Sequence, residues 1–190
     1  MNDLFIFDFD DTLAMTDSHV RVIKKDGTTK RLDSREFAKY RYIDGDELDF
    51  SEFTRASGTL IPNTVSAMES AIRDHGIKNV FIVTARAESK PVSAFLKSVN
   101  VTVPEVVATA GSAGKATWLT RKLQQTDYTS VMVYEDCRKN ISMLKNIVEA
   151  YNEEIGTSIL YKAVCIVPGG GQELVEKLIR EYIKKVLYTL

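Results

Sequence analysis

Five short runs, at residues 4–7, 80–83, 106–108, 131–134 and 163–167, are apolar at successive positions and lack the polar alternation of a half-exposed strand. A strand that is apolar on both faces must be covered on both, so these runs predict a sheet sandwiched between helices. The segments between them supply the helices. After Pro62, residues Val65, Met68, Ala71 and Ile72 repeat at helical spacing up to Gly76, read as a left-handed terminator. Ser89 is placed to cap a second helix, with Pro91 in its first turn and Val92, Phe95, Leu96 and Val99 on one face. Ser112 is placed to cap a third, which turns Trp118, Leu119 and Leu123 inward, and a fourth carries Ile141, Leu144, Ile147, Val148, Tyr151 and Ile155 up to Gly156. A last helix aligns Leu174, Leu178, Tyr182, Ile183 and Val186, entered through a turn at Gly169, Gly170 and Gly171. Strand and helix in regular alternation predict an α/β protein: a doubly wound, mostly parallel sheet with right-handed crossovers.

One stretch breaks this rhythm. Residues 14–61 are too long for an ordinary loop and must be structured. Within them, 19–25 and 28–32 flank Asp26-Gly27 and read as a β-hairpin, 34–42 is weakly helical, and 44–52 is an acidic, turn-rich piece. With 190 residues, 44% of them hydrophobic, the chain suits one core, so 1–190 reads as a single domain with 14–61 as a small insertion after the first strand. The formal net charge of -1 argues against a surface built wholly for nucleic acid or anionic membrane. Two cysteines, Cys137 and Cys165, suit a reducing compartment, the chain opens on a strand rather than a leader, and no apolar run approaches the roughly 18 residues of a membrane span. A cytoplasmic protein that makes no use of membrane is expected.

Polar residues collect where the apolar runs end. Asp8 and Asp10 follow the first, Thr84 and Arg86 the second, Glu135 and Asp136 the fourth, and Lys115 begins the helix after the third. In an open α/β sheet the carboxyl ends of the strands form the ligand-binding rim, so these groups should converge there. Asn140 lies one helical turn beyond Asp136.

The order of these groups resembles the four motifs of the haloacid dehalogenase superfamily of phosphohydrolases, across nearly the whole chain. Asp8-Phe9-Asp10-Asp11-Thr12 is similar to the first motif, the strand ending in Thr84 to the second, Lys115 to the third, and Glu135-Asp136 to the fourth. The resemblance implies a Rossmann-like domain in which the first strand lies between the second and the fourth. It also implies Asp8 as nucleophile, forming an aspartyl-phosphate, and Asp10 as the acid that protonates the leaving oxygen and then activates water. Thr84 would offer its hydroxyl to a phosphoryl oxygen, and Lys115 would hold Asp8 and offset charge. Mg²⁺ would bind to Asp8, the backbone carbonyl of Asp10 and Asp136, with Glu135 behind them and Asn140 orienting a metal-bound water. Asp11 stands where many relatives carry glycine.

Blander readings stand beside these. An aspartate pair after a strand can simply cap a turn. Arg86 has two roles open to it, substrate phosphate or a surface ion pair. Lys122 is a poorer rival to Lys115, Cys137 reads as structural, and His19 and His75 read as a hairpin residue and a helix-end residue. Trp118, Tyr151 and Tyr182 read as packing, and Gly169 to Gly171 lack the Lys-Ser/Thr pair of a phosphate loop. A signalling receiver domain is disfavoured because the third strand ends in Thr109 rather than an acid.

The expectation is therefore a Mg²⁺-dependent phosphatase acting on a small molecule, a nucleic-acid end or a phosphoprotein; the alternative is a non-catalytic binding module, with nucleic acid as a partner. The insertion resembles a flap more than a full cap, which leaves the site open to large substrates. Its Arg21, Lys24, Lys25, Lys30, Arg31, Arg35, Lys39 and Arg41 could attract a polyanion, against the reading of a solvated hairpin with acidic neighbours.

Overall fold

The computed structural model describes residues 2–175. Strand β1 (Asp3–Phe7) leads into the insertion, made of β2 (Ala14–Thr16), β3 (Val20–Ile23), β4 (Thr29–Leu32), α1 (Ser34–Lys39), β5 (Glu47–Asp49) and β6 (Gly58–Leu60). The chain then alternates through α2 (Pro62–His75), β7 (Val80–Thr84), α3 (Lys90–Ser98), β8 (Glu105–Ala108), α4 (Ser112–Gln125), β9 (Ser130–Glu135), α5 (Arg138–Ile155) and β10 (Leu160–Val167), and β11 (Gly171–Leu174) is the last strand among the described residues.

The main sheet runs β11-β10-β9-β1-β7-β8, parallel except for the antiparallel edge pair β10 and β11. It is thus an α/β fold with a mixed, mostly parallel sheet. Successive side chains of a strand face opposite ways, and here both faces are dry. Leu4, Ile6, Phe81, Val83, Val131 and Val133 pack with Leu119, Leu123, Ile141, Leu144 and Val148 of α4 and α5. Phe7, Val80 and Ile82 point the other way, against Val65 and Met68 of α2 and Val92 and Leu96 of α3. That two-sided burial explains the missing polar alternation in the sequence. No described helix is long and apolar enough to cross a membrane.

Several local expectations change in the structure. Gly76 closes α2 by donating to Ile72 O at 2.9 Å and has the positive φ expected of a terminator, 84°, but its ψ of 145° is not left-handed helical, and the chain enters a 3₁₀ turn (Ile77–Asn79) at once. Ser89 holds the N-cap position of α3 as expected but makes no side-chain cap bond; its carbonyl accepts from Ser93 N–H. Ser112 is the first residue of α4 rather than its cap, the cap position being Gly111. Ile155, 56% exposed, does not join the buried stripe of α5. Gly169 and Gly170 turn the chain back on itself, so Gly171 opens β11 and Leu174 pairs with Val164 instead of starting a helix. Leu178, Tyr182, Ile183 and Val186 lie outside the described residues.

The insertion holds two small sheets. β2 and β6 pair antiparallel as its stem, and β3 pairs antiparallel with both β4 and β5. The acidic piece read as turns therefore contributes a strand, too short to announce itself by alternation. Its acids also have a purpose: Asp49 pairs with Arg21 at 3.3 Å, Asp46 with Lys24 at 3.0 Å and Glu52 with Arg31 at 3.0 Å.

Gly114, in the first turn of α4, is required by close approach. A Cβ there would lie 2.2 Å from the Thr109 carbonyl oxygen. The next residue is Lys115, so this contact sets how deeply α4 seats its lysine. Gly114→Ala should force the helix outward and destabilise the fold by about 1–3 kcal/mol, read by urea denaturation; unchanged stability would show that the approach is not tight.

Candidate functional site

β1 lies between β9 and β7, and its parallel pairing continues one bond further, with Asp8 N–H donating to Tyr134 O at 3.0 Å. The chain then folds sharply. Phe9 O accepts from Leu13 N–H at 3.0 Å and Ala14 N–H at 3.1 Å, while Phe9 and Leu13 are buried below. The turn needs a left-handed residue, Asp11 with φ 56°, a conformation that aspartate tolerates better than most. This is a physical reason for either glycine or aspartate at that position. The Asp11 carboxylate accepts from Ser34 Oγ and lies 3.6 Å from Arg35 Nε, tying the turn to α1.

Three carboxylates converge at this rim. Asp8, Glu135 and Asp136 each present an oxygen within 4.8 Å of the others. Lys115 reaches in from α4 and donates to Asp8 Oδ1 at 2.6 Å and Glu135 Oε2 at 2.7 Å, almost wholly buried. Glu135 is further fixed through Oε1 by Cys137 N–H and Asn140 Nδ2. Asn140 is therefore committed to a carboxylate, and Glu135 serves to hold the lysine. Thr12 Oγ1 approaches Asp8 Oδ2 at 3.4 Å.

One ammonium faces three carboxylates, which leaves two negative charges in excess. The titration behaviour follows from that imbalance. Burial first, then the charge of Glu135, raises Asp8 to about 7 against the opposing pull of Lys115. Burial and the charges of Asp8 and Glu135 push Asp136 up to about 9. Burial opposes the charge on Lys115, yet its two carboxylate partners carry it above its ordinary value.

Asp10 is held apart from this cluster. Arg86 grips it with two bonds, Nε to Oδ2 at 2.9 Å and Nη2 to Oδ1 at 2.7 Å, and Thr16 Oγ1 donates to Oδ1 at 2.6 Å. Arg86 is 4% exposed, so it is not a surface ion-pair partner. Its remaining donors go to Phe53 O, Arg55 O and Ser18 Oγ. A guanidinium carries five N–H groups and all five are engaged, so none remains for a substrate phosphate. Thr84, fully buried, accepts from Arg86 N–H at 3.2 Å, a bond that does not consume its hydroxyl proton.

The structure thus brings Asp8, Lys115, Glu135 and Asp136 together, sets Asp10 and Thr84 around Arg86, and assigns Arg86 neither of the roles open to it in the sequence. Lys122 lies over the Phe81 ring instead of entering the site, Trp118 also packs on Phe81, and Cys137 and Cys165 are free thiols. The partners of Arg86 are distant in sequence and are backbone carbonyls in part, so no side-chain pattern could have revealed them. Comparison with models of known protein families, with curated proteins and with solved structures returned no match.

Because Asp8 and Asp136 titrate above their ordinary 3.8 in the folded chain, the folded state holds protons that the unfolded chain has released. Stability in chelator-treated buffer should therefore fall as pH rises from about 5 to about 9. Asp136→Asn should flatten the upper part of that slope, above about pH 7. A melting temperature that stays level or rises over this range would contradict the charge excess.

Proposed function

We propose that this chain is a phosphomonoester hydrolase of the haloacid dehalogenase type, with Asp8 as nucleophile and Mg²⁺ as cofactor. The observation that carries this reading is the meeting of three carboxylates and one ammonium at the carboxyl rim of a parallel sheet, a set that carries two excess negative charges once fully ionised, as one divalent cation would offset. The donors are all oxygens, as Mg²⁺ prefers. Asp8 and Asp136 supply carboxylates, Glu135 is engaged by Lys115, and the turn bonds of the first motif run through Phe9 O and Ala14 O, not through the Asp10 carbonyl. Asp8, Asp136 and that carbonyl would hold the ion. When bound, Mg²⁺ offsets the charge of the phosphoryl group and of the carboxylates around it.

The residues then divide the chemistry. A carboxylate oxygen of Asp8 attacks phosphorus and the ester P–O bond breaks, giving an aspartyl-phosphate. Asp10 donates its proton to the departing oxygen, so the alcohol leaves neutral. Water next attacks the phosphorus of the aspartyl-phosphate, Asp10 takes the proton of that water, and phosphate leaves with Asp8 restored. Lys115 keeps Asp8 aligned, and the Thr84 hydroxyl would donate to a phosphoryl oxygen.

The insertion, 14–61, supports an open site that takes larger esters, since it forms small sheets rather than a helical cap. Of the eight basic side chains between residues 21 and 41, four are spent on Asp11, Asp46, Asp49 and Glu52. Attraction of a polyanion would rest on Lys25, Lys30, Lys39 and Arg41, which are exposed and have no ion pair among the described residues. A side-by-side screen of phosphorylated sugars, nucleotides, oligonucleotide ends and phosphopeptides assigns the ester class.

Asp8→Asn should lower phosphatase turnover by roughly 10³-fold or more while leaving the circular dichroism spectrum unchanged. Chelation should abolish turnover, and Mg²⁺ should restore it. Retention of activity in a folded Asp8→Asn protein would remove the mechanism.

A further inference from the structure

The Asp10 carboxylate has about four acceptor sites. Three are taken, by Thr16 and Arg86 on Oδ1 and by Arg86 on Oδ2, which leaves one lone pair open on Oδ2. Where that lone pair points is fixed by the guanidinium plane, since a two-bonded arginine and carboxylate lie in a common orientation. The guanidinium is fixed in turn. Its Nη1 donates to Phe53 O at 3.1 Å and Arg55 O at 2.6 Å, and its Nη2 to Ser18 Oγ at 3.1 Å, all within the insertion. The rings of Phe9 and Phe53 stack near it, with centroids at 5.3 Å and 5.0 Å.

We infer that Arg86 is a positioning residue that couples the insertion to proton transfer: the carbonyls of residues 53 and 55 aim the guanidinium, and the guanidinium aims the open lone pair of Asp10 Oδ2. This inference rests on the proposed phosphatase reading and adds to it. Arg86 touches no substrate; it acts through Asp10. The insertion accordingly sets the orientation of the acid as well as shaping the mouth of the site. A displaced 51–55 turn would leave Asp8 and its lysine intact and yet misdirect the proton.

Leaving groups separate this role from a structural one. The p-nitrophenolate ion departs without a proton, whereas an alkoxide needs one, so only alkyl phosphates depend strongly on Asp10. Turnover of p-nitrophenyl phosphate and of β-glycerophosphate should be compared with Mg²⁺ present for the parent chain, Arg86→Gln, Arg86→Lys, Asp10→Asn and the double variant Asp10→Asn/Arg86→Gln. Arg86→Gln should cost β-glycerophosphate about ten times more in kcat than it costs p-nitrophenyl phosphate, with KM little changed, as general acid catalysis contributes roughly 10²- to 10⁴-fold. Arg86→Lys should not rescue it, because a single ammonium cannot span both oxygens. The double variant should be no slower than Asp10→Asn. Equal losses on both esters, rescue by lysine, or losses that multiply in the double variant would overturn the inference.

A second readout needs no substrate. Asp10→Asn should speed amide hydrogen exchange at Phe53 and Arg55 several-fold and leave α5 unchanged, because the acceptor that seats Arg86 is weakened. Unchanged exchange there contradicts the coupling even if the parent chain proves inactive. Inactivity of the parent chain on every ester would instead remove the phosphatase reading.

Discussion

The ammonium of Lys115, buried between Asp8 and Glu135, is the contact on which the rest of the site depends. A buried charge is tolerated only when paired and hydrogen-bonded, and removing one partner of such a group typically costs about 3–5 kcal/mol. Here the lysine comes from α4 and its partners from the ends of β1 and β9, so one side chain locks a helix to two neighbouring strands. The glycine before it allows the approach, and Asn140 and the Cys137 amide hold Glu135 in place. With Asp136 added, the lysine cannot balance the site alone. The crowding of carboxylates follows from the fold itself, and in the proposed reading a divalent cation offsets it.

A second layer of contacts joins this centre to the insertion. Neighbouring aspartates in one turn face different ways: Asp8 toward Lys115, Asp10 toward Arg86, Asp11 toward Ser34 and Arg35. Each thereby binds a different part of the chain. Charge that looks segregated in the sequence, with a basic stretch before an acidic one, becomes mutual pairing once β3 lies between β4 and β5. The insertion is held down by these internal pairs and by Arg86, so its attachment to the sheet and the orientation of Asp10 share the same bonds.

Much of the architecture was legible because burial on both faces leaves a plain mark, uninterrupted apolar runs, and because α2 to α5 carry clear helical stripes. The convergence of Asp8, Lys115, Glu135 and Asp136 was legible for a related reason: all four sit at strand ends or a helix start, where the order of elements dictates position. Three-residue strands such as β2, β5 and β6 were not legible, since alternation cannot show itself over so few residues. Ser89 does occupy the cap position of α3, though without a side-chain bond, whereas Ser112 was misassigned because a serine near a helix start can cap or simply begin the helix, and only backbone geometry decides. The setting of Arg86 lay beyond sequence because two of the five bonds that hold its guanidinium go to main-chain carbonyls of the insertion.

The central claim is that phosphorus becomes covalently bound to Asp8. Acid quenching of the chain during turnover of a ³²P-labelled phosphomonoester with Mg²⁺, followed by proteolysis and mass spectrometry, tests it most directly. The account predicts a hydroxylamine-labile phosphoryl group on the peptide that contains Asp8, absent when Mg²⁺ is chelated. Turnover with no label on the chain, or with label on another residue, would contradict it.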